Sequence, residues 1–341
     1  MELISEIGSW ISERESLLSG AAAIIVLLSV VASAIGLTYR QVSNSRKQNA
    51  AKDEPAPTKD TPITLKELSA PCPTPVEFAE SDGLRIAYTV LGKGPPDIVM
   101  APGIISHLNI TSHLPPIRDS VNAVAEFARV LRFDKRGQGL SDPTVNVSTL
   151  DERVHDIQAV IDAAGMDKVI LYGISESGPM CLKFAHDHPE RVKGLVLLGT
   201  TACWVQSEDF PIGIEEKVLD SMTAAWGSGQ LRDVFFPEIS REVMDEKTSQ
   251  GFEHLIASRE SIRQIVEYLK QTDVRPLLPN IHCPTLVVHF GGDLTMPVRM
   301  GRAVAAAMPN AEFLEVSGTD HADLSQSAEG MARVREFVAS L

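Results

Sequence analysis

The chain has 341 residues, of which 44% are apolar and 22% are charged, a composition typical of a globular protein with a sizeable core. Its formal net charge of −14 argues against binding to nucleic acid, whose phosphate backbone needs a basic surface. The spacing of the four cysteines disfavours a disulfide framework and a zinc site and favours free thiols in a reducing compartment. These are Cys72, Cys181, Cys203 and Cys283. We therefore expect no metal site, and no motif calls for a cofactor.

Residues 19–39 are predicted to form a single membrane-spanning helix. From Ser16 to Tyr39 the chain carries no charge, and about 20 helical residues cross a hydrocarbon core of roughly 30 Å. The leader, residues 1–18, is acidic, whereas a signal peptide begins with a basic region. Basic residues follow the span instead, so the positive-inside rule leaves the rest of the chain in the cytoplasm. A cleaved signal peptide and a buried or interfacial helix are the alternatives. The basic residues are Arg40, Arg46, Lys47 and Lys52.

Residues 40–65 are predicted to be a flexible linker, because they are polar and contain several prolines. The remaining segment, residues 66–341, alternates strand and helix patterns, which indicates an α/β fold whose mostly parallel sheet carries helices on both faces. The predicted strands are Leu84–Val90, Asp97–Met100, Val130–Phe133, Lys168–Tyr172, Gly194–Gly199, Thr285–Phe290 and Ala311–Val316. The predicted helices are Asn122–Ala128, Leu150–Ala164 with Ser148 as its cap, Pro179–His188 and Met331–Leu341. Between about residues 209 and 278 only helical spacing is found, which predicts a helical cap inserted into the sheet.

The strand ending near Tyr172 is followed by Gly173-Ile-Ser175-Glu-Ser177-Gly178, the layout of a nucleophile elbow. Ser175 is predicted to stand at the tip of a strained turn as the nucleophile. Ser177 is the less favoured nucleophile, because no glycine lies two residues before it. It occupies a position where the usual pattern has glycine, and we expect a strain of about 1 kcal/mol there.

An acid and a base follow two later strands. Asp293 comes after Thr285–Phe290, and His321 comes after Ala311–Val316. Catalytic groups collect at the carboxyl ends of parallel strands. A serine hydroxyl is a weak nucleophile, so His321 is expected to take its proton while Asp293 orients the imidazole. The sequence therefore predicts a Ser-His-Asp triad.

The backbone N–H groups of Ile104 and Glu176 are the predicted oxyanion donors, one from the loop after an early strand and one from the elbow. His107 is a candidate pocket residue, with a structural role as the alternative. We also expect aromatic side chains of the cap to line the acyl pocket or to form the core. The candidates are Phe210, Trp226, Phe235 and Phe236.

Other polar residues receive structural interpretations. Asp134 and Arg136 are expected to form a salt bridge or a turn. His186 and His188 lie two apart on a helix and do not face each other, so they predict a helix end rather than a metal site. The two acids beside His321 are expected to cap loops. They are Asp320 and Asp323.

Residues 70–341 resemble the α/β-hydrolase superfamily in several ordered motifs besides the elbow. Arg132–Asp142 is similar to the D-x-R-G-x-G-x-S loop, and His188–Val192 to the P-E-R-V segment. In detail, Pro102–His107, the S-E-x-G-P elbow and Asp273–Pro279 resemble hydrolase modules associated with nucleotide cyclases. The resemblance implies the α/β-hydrolase fold and a serine nucleophile that performs acyl transfer.

The leading hypothesis is a membrane-anchored, esterase-like serine hydrolase that cleaves a small or lipophilic acyl ester on the cytoplasmic side. The alternative is a signalling protein that uses the hydrolase pocket to sense a ligand and acts on a protein partner. A cofactor-free peroxidase on the same triad is a weaker alternative.

Overall fold

The structure, a computed structural model, describes residues 62–341. The predicted membrane-spanning helix 19–39, the leader before it and most of the predicted linker lie outside the described residues. Within residues 62–341, no helix combines the length and the apolar character needed to cross a membrane.

One eight-stranded sheet organises the described part of the chain. Its strands run in the order β1-β2-β4-β3-β5-β6-β7-β8. β2 pairs antiparallel with β1 and β4, and all other neighbours are parallel. The predicted mostly parallel sheet is therefore confirmed. The strands are β1 (Glu77–Ser81), β2 (Leu84–Gly92), β3 (Asp97–Ala101), β4 (Arg129–Phe133), β5 (Val169–Ile174), β6 (Val192–Leu198), β7 (Thr285–Phe290) and β8 (Ala311–Val316).

Helices cover both faces of the sheet, as predicted. The central strands are mostly apolar and are buried along almost their whole length, because parallel strands are covered on both sides. Helices α4, α5 and α10 pack on one face, and α3 and α11 pack on the other. The helices are α1 (Leu65–Leu68), α2 (Leu108–His113), α3 (Pro115–Ala125), α4 (Leu150–Ala163), α5 (Gly178–Asp187), α6 (Glu216–Ala225), α7 (Arg232–Phe235), α8 (Glu246–Ile256), α9 (Arg259–Gln271), α10 (Val298–Ala307) and α11 (Ala328–Ala339).

The segment between β6 and β7 carries α6 to α9 and no strand, as the helical spacing predicts. Its aromatic and aliphatic side chains form a separate apolar cluster, which also includes Ile104 and Ile105 from the loop after β3. α9 shows why this segment is helical: Ile262, Ile265 and Leu269 recur at helical spacing and are all buried. The cap therefore has its own core and meets the sheet at the carboxyl ends of the strands.

Several predicted boundaries were wrong. The backbone N–H of Ile63 donates to the Val243 carbonyl at 2.7 Å, so the folded body begins before residue 66. Thr149, not Ser148, caps α4, because its side chain and Glu152 form a reciprocal capping box. The predicted helix Asn122–Ala128 is displaced: the structure has α3 at Pro115–Ala125, where Pro115 occupies the first helical position.

Candidate active site

The elbow joins β5 to α5 through Ser175, whose φ is +55°. This left-handed conformation is costly for a residue with a side chain and persists only where neighbouring contacts hold it. The Thr200 hydroxyl, just beyond β6, donates to the Ser175 carbonyl. A Cβ at Gly178 would collide with the Thr200 side chain. Close packing between the elbow and the end of β6 therefore holds the strained turn, as the sequence pattern predicts.

Ser177 has no backbone strain, contrary to expectation. Its φ is −83°, so the position does not need glycine. The hydroxyl is fully buried, accepts a hydrogen bond from the Ile174 N–H at 2.7 Å, and lies 2.9 Å from the carbonyl oxygens of Ala101 and Ile174. Ser177 therefore links the elbow to the end of β3, and its hydroxyl is committed to backbone partners.

Asp293 and His321 are brought together because β7 and β8 are neighbours. Phe290 pairs with Val316 at the ends of these strands, so both loops leave the same edge of the sheet. His321 Nδ1 lies 2.7 Å from Asp293 Oδ2. The other oxygen, Oδ1, accepts the N–H groups of Thr295 and Met296 at 2.8 and 3.0 Å. The carboxylate is thus fully engaged and holds the imidazole in one orientation.

The environment of His321 favours its charged form. Burial opposes the charge, but the Asp293 carboxylate, by its charge and its hydrogen bond, and Asp320 together raise the pKa of His321 above its usual value of 6.5. Nε2 is buried and has no hydrogen-bond partner among residues 62–341. Gly199 provides space for the ring, because a Cβ there would lie 3.2 Å from His321 Nδ1 and Cε1. With its proton on Nδ1, the neutral ring presents a free base at Nε2.

The loop after β3 passes next to the elbow. A Cβ at Gly103 would lie 3.3 Å from Ser175 Cβ and 3.9 Å from the Glu176 nitrogen. The Ile104 N–H donates to no acceptor within the described residues. The two predicted oxyanion donors therefore come from segments that approach within a few ångströms of the Ser175 side chain.

A pocket opens at this edge of the sheet and is lined by both Ser175 and His321. Together with the open space at its mouth it spans about 700 Å³. His107, Phe235 and Phe236 lie on its wall. Phe210 and Trp226 do not: they are buried in the core of the cap. Most other lining residues are apolar, including Met100, Ile104, Leu108, Ile117, Val121 and Phe133.

Arg132 and Asp134 are charged exceptions in the lining. The Arg132 guanidinium bonds to the hydroxyls of Thr111 and Ser112 and pairs with no carboxylate among the described residues. Burial raises the pKa of Asp134 to about 6, although its carboxylate accepts backbone N–H groups, one of them from Leu108 at 3.0 Å. Asp134 and Arg136 do not pair with each other. Arg136 instead pairs with Asp156 at 2.6 Å.

The remaining predicted structural residues do not line the pocket. His186, at the end of α5, contacts Asp187 at 2.7 Å on the surface. No cluster of side chains within residues 62–341 could hold a metal ion. Asp320 accepts the N–H groups of Ala322 and Asp323 at 2.8 and 2.7 Å, which is the expected loop-capping role.

Sequence reasoning missed a buried charge cluster beneath the elbow. The Glu176 carboxylate pairs with Lys135 on one oxygen and with Arg153 of α4 on the other, and each side chain is 1% exposed. Burial favours the neutral acid, but the two cations hold the pKa of Glu176 at about 2. Burial lowers the pKa of Lys135 to about 8. The one available signal was a lysine and a glutamate inside two motif loops, Arg132–Asp142 and the elbow.

A nucleophile elbow at the end of β5, with an acid and a histidine after β7 and β8 on one mostly parallel sheet, defines an α/β-hydrolase. The chain belongs to the serine aminopeptidase S33 family of these proteins, whose family model (Hydrolase_4) matches residues 98–322.

Three relatives illustrate the range of this fold. The chain is 27% identical to a 2-hydroxy-6-oxononadienedioate/2-hydroxy-6-oxononatrienedioate hydrolase of Paraburkholderia xenovorans, over 77% of this chain and 94% of that protein. It is 25% identical to the Karrikin insensitive 2 receptor CA of Petunia hybrida, over 68% and 86% of the two chains. The structure of an esterase from Exiguobacterium antarcticum superposes with a TM-score of 0.64 at 23% identity, over 77% and 98% of the chains. At that identity the esterase supports the fold alone.

Proposed function

We propose that this protein is a serine hydrolase of acyl esters, with Ser175 as nucleophile, His321 as general base and Asp293 as the residue that orients it. One observation carries the proposal. His321 Nε2, buried and without a partner in the described part of the chain, lines the same pocket as Ser175, while Asp293 holds Nδ1 at 2.7 Å. A serine hydroxyl becomes a nucleophile when a base oriented in this way comes within hydrogen-bond reach of it.

In the proposed mechanism, Ser175 Oγ attacks the ester carbonyl and passes its proton to His321 Nε2. The resulting imidazolium is stabilised by the Asp293 carboxylate. The Ile104 and Glu176 N–H groups donate to the developing oxyanion. His321 then returns the proton to the leaving alcohol, and water hydrolyses the acyl-enzyme by the same steps.

The pocket lining supports a small or lipophilic acyl group, because most of its residues are apolar. The predicted helix 19–39 would place this activity beside a membrane, with the hydrolase domain in the cytoplasm. Its acidic leader and the basic residues that follow it support this topology.

A fluorophosphonate probe tests the nucleophile. We expect the probe to label the wild type and not Ser175→Ala, because only an activated serine attacks phosphorus at an appreciable rate. Ser221→Ala is the matched control, since among residues 62–341 its hydroxyl donates to the Val218 carbonyl in the cap and to no other group, and it should label like the wild type. Equal labelling of Ser175→Ala and the wild type, read by intact-protein mass, would rule out the assignment.

A ligand sensor is the second candidate. The 25% identity to a protein named as a receptor, and the resemblance to modules associated with nucleotide cyclases, support it. A sensor would be acylated once or turn over slowly, whereas an esterase would hydrolyse p-nitrophenyl esters over many cycles. Sustained turnover of several esters in the absence of any partner would argue against the sensor.

A further inference from the structure

Two opposite buried charges lie next to both proposed oxyanion donors. Lys135 Nζ donates to the Glu176 carboxylate and, at 2.8 Å, to the Gly103 carbonyl. The backbone N–H of Glu176 is one of the two donors. The Gly103 carbonyl belongs to the same peptide unit as the Ile104 N–H, which is the other donor. The Lys135 ammonium group therefore contacts both sources of the donors: Glu176, which supplies one N–H, and the Gly103–Ile104 peptide unit, which supplies the other.

A peptide unit is planar and nearly rigid, so fixing its carbonyl also fixes the direction of its N–H. The Lys135 hydrogen bond to the Gly103 carbonyl therefore restrains the Ile104 N–H. A cation at the carbonyl also polarises the peptide and makes its N–H a stronger donor, an effect that increases in a site of low dielectric constant. Because neither Lys135 nor Glu176 lines the pocket, both act through the backbone and not on a bound molecule.

Arg153 completes the cluster and extends it to the cap. Its guanidinium pairs with the second oxygen of Glu176 and stacks on the ring of Tyr268 in α9, 3.8 Å from the ring centre. Two cations and one carboxylate leave the cluster with one positive charge. Buried ion pairs contribute little net stability compared with well-packed apolar residues. A role in placing the donors explains their presence better than a role in folding.

We propose that Lys135 and Glu176 are positioning residues of the oxyanion hole: they connect the loop after β3 to the elbow and hold the Ile104 and Glu176 N–H groups in place. This inference rests on the proposed hydrolase function. The pair stabilises the transition state and not the bound ester, whose carbonyl oxygen carries little charge.

The test compares Lys135→Met and Glu176→Gln with the wild type, using p-nitrophenyl butyrate as substrate. Removing an oxyanion donor outright lowers kcat by about 10²- to 10³-fold. Since these variants displace the donors without removing them, we expect kcat to fall by about 10- to 100-fold in Lys135→Met and by less in Glu176→Gln, whose amide oxygen still accepts from Lys135. KM should stay within about threefold. The affinity for a trifluoromethyl ketone, which forms a tetrahedral oxyanion on the serine, should fall in parallel with kcat.

Lys183→Met is the matched control, because it removes a lysine from surface ion pairs on α5, and it should leave kcat unchanged. The melting temperature of each variant distinguishes a loss of folding from a displacement of the donors. If Lys135→Met does not fold, Glu176→Gln provides the test, because it keeps the shape of the side chain. An active wild type with unchanged kcat in the variants that fold, or a change in KM alone, would overturn this inference and leave the hydrolase function standing. A wild type that neither reacts with the probe nor turns over ester would overturn both.

Discussion

His321 has opposing influences on its charge, and their balance sets the pH range of the activity. Burial alone would lower its pKa, but Asp293 and Asp320 raise it above 6.5. His321 must be neutral to accept the proton of Ser175. As the pH falls through the raised pKa, the base becomes protonated and the reaction stops.

We therefore expect kcat/KM to decrease at acidic pH with an apparent pKa above 6.5. In Asp293→Asn the larger of the two charge effects that raise the pKa of His321 is lost while burial remains, so this pKa should fall and the acidic limb should shift to lower pH. The rate should also fall by up to about 10⁴-fold, because the imidazole loses its orientation and tautomer. The measurement is a pH profile of ester hydrolysis.

His186→Gln is the control for that profile, because His186 is a surface histidine away from the pocket and its loss should leave the limb unchanged. A limb that stays at the same pH in Asp293→Asn would contradict the assigned coupling between Asp293 and His321.

The junction of β5, the elbow and β3 depends on the Ser177 hydroxyl. The hydroxyl accepts a hydrogen bond from the Ile174 N–H and contacts the carbonyl of Ala101, the last residue of β3. In the sheet, β3 and β6 are the two neighbours of β5. A buried backbone group left without a partner costs about 1 to 3 kcal/mol. The elbow is therefore held on both sides, by Thr200 from β6 and by Ser177 toward β3.

We expect Ser177→Ala to lower the free energy of unfolding by about 1 to 3 kcal/mol, measured by urea denaturation. Ser177→Gly should be no more stable than Ser177→Ala, although glycine is the residue of the usual pattern, because a φ of −83° gives glycine no advantage. Ser340→Ala, at the exposed end of α11, is the control and should change stability by no more than about 0.5 kcal/mol. A glycine variant as stable as the wild type would show that the hydroxyl contacts contribute little.

The predicted membrane anchor, residues 19–39, is a feature of the whole chain. Residues 62–341 form a folded body with its own cores. If residues 19–39 span a bilayer, their removal should change the location of the protein and not its fold.

We expect the full-length protein to sediment with membranes and to remain there after alkaline carbonate extraction, whereas a variant without residues 1–45 should be soluble and react equally with the fluorophosphonate probe. Cell fractionation followed by immunoblotting measures the first outcome. Full-length protein that is already in the soluble fraction would contradict the anchor.

Local patterns were sufficient to predict the sheet and the three candidate triad residues. Mostly apolar strands are recognisable in sequence, and the residues after them must lie at the carboxyl edge of a parallel sheet. Ser175, Asp293 and His321 each follow one of these strands, so all three are expected at that edge. The cap of α4 was wrongly predicted as Ser148, because Ser148 and Thr149 are adjacent and both carry a hydroxyl that can cap a helix.

Contacts between distant segments could not be derived in this way. Lys135 lies 41 residues from Glu176, and Ser177 lies 76 residues from Ala101, so their pairing depends on which strands become neighbours. The same holds for the pocket wall, where Phe235 lines the cavity and Phe210 does not. Sequence alone determined the α/β-hydrolase class and where the candidate site residues lie along the chain. The packing of the sheet, elbow and cap decided which charges are buried together and which groups reach the pocket, because burial and hydrogen bonding depend on neighbours that the local pattern does not specify.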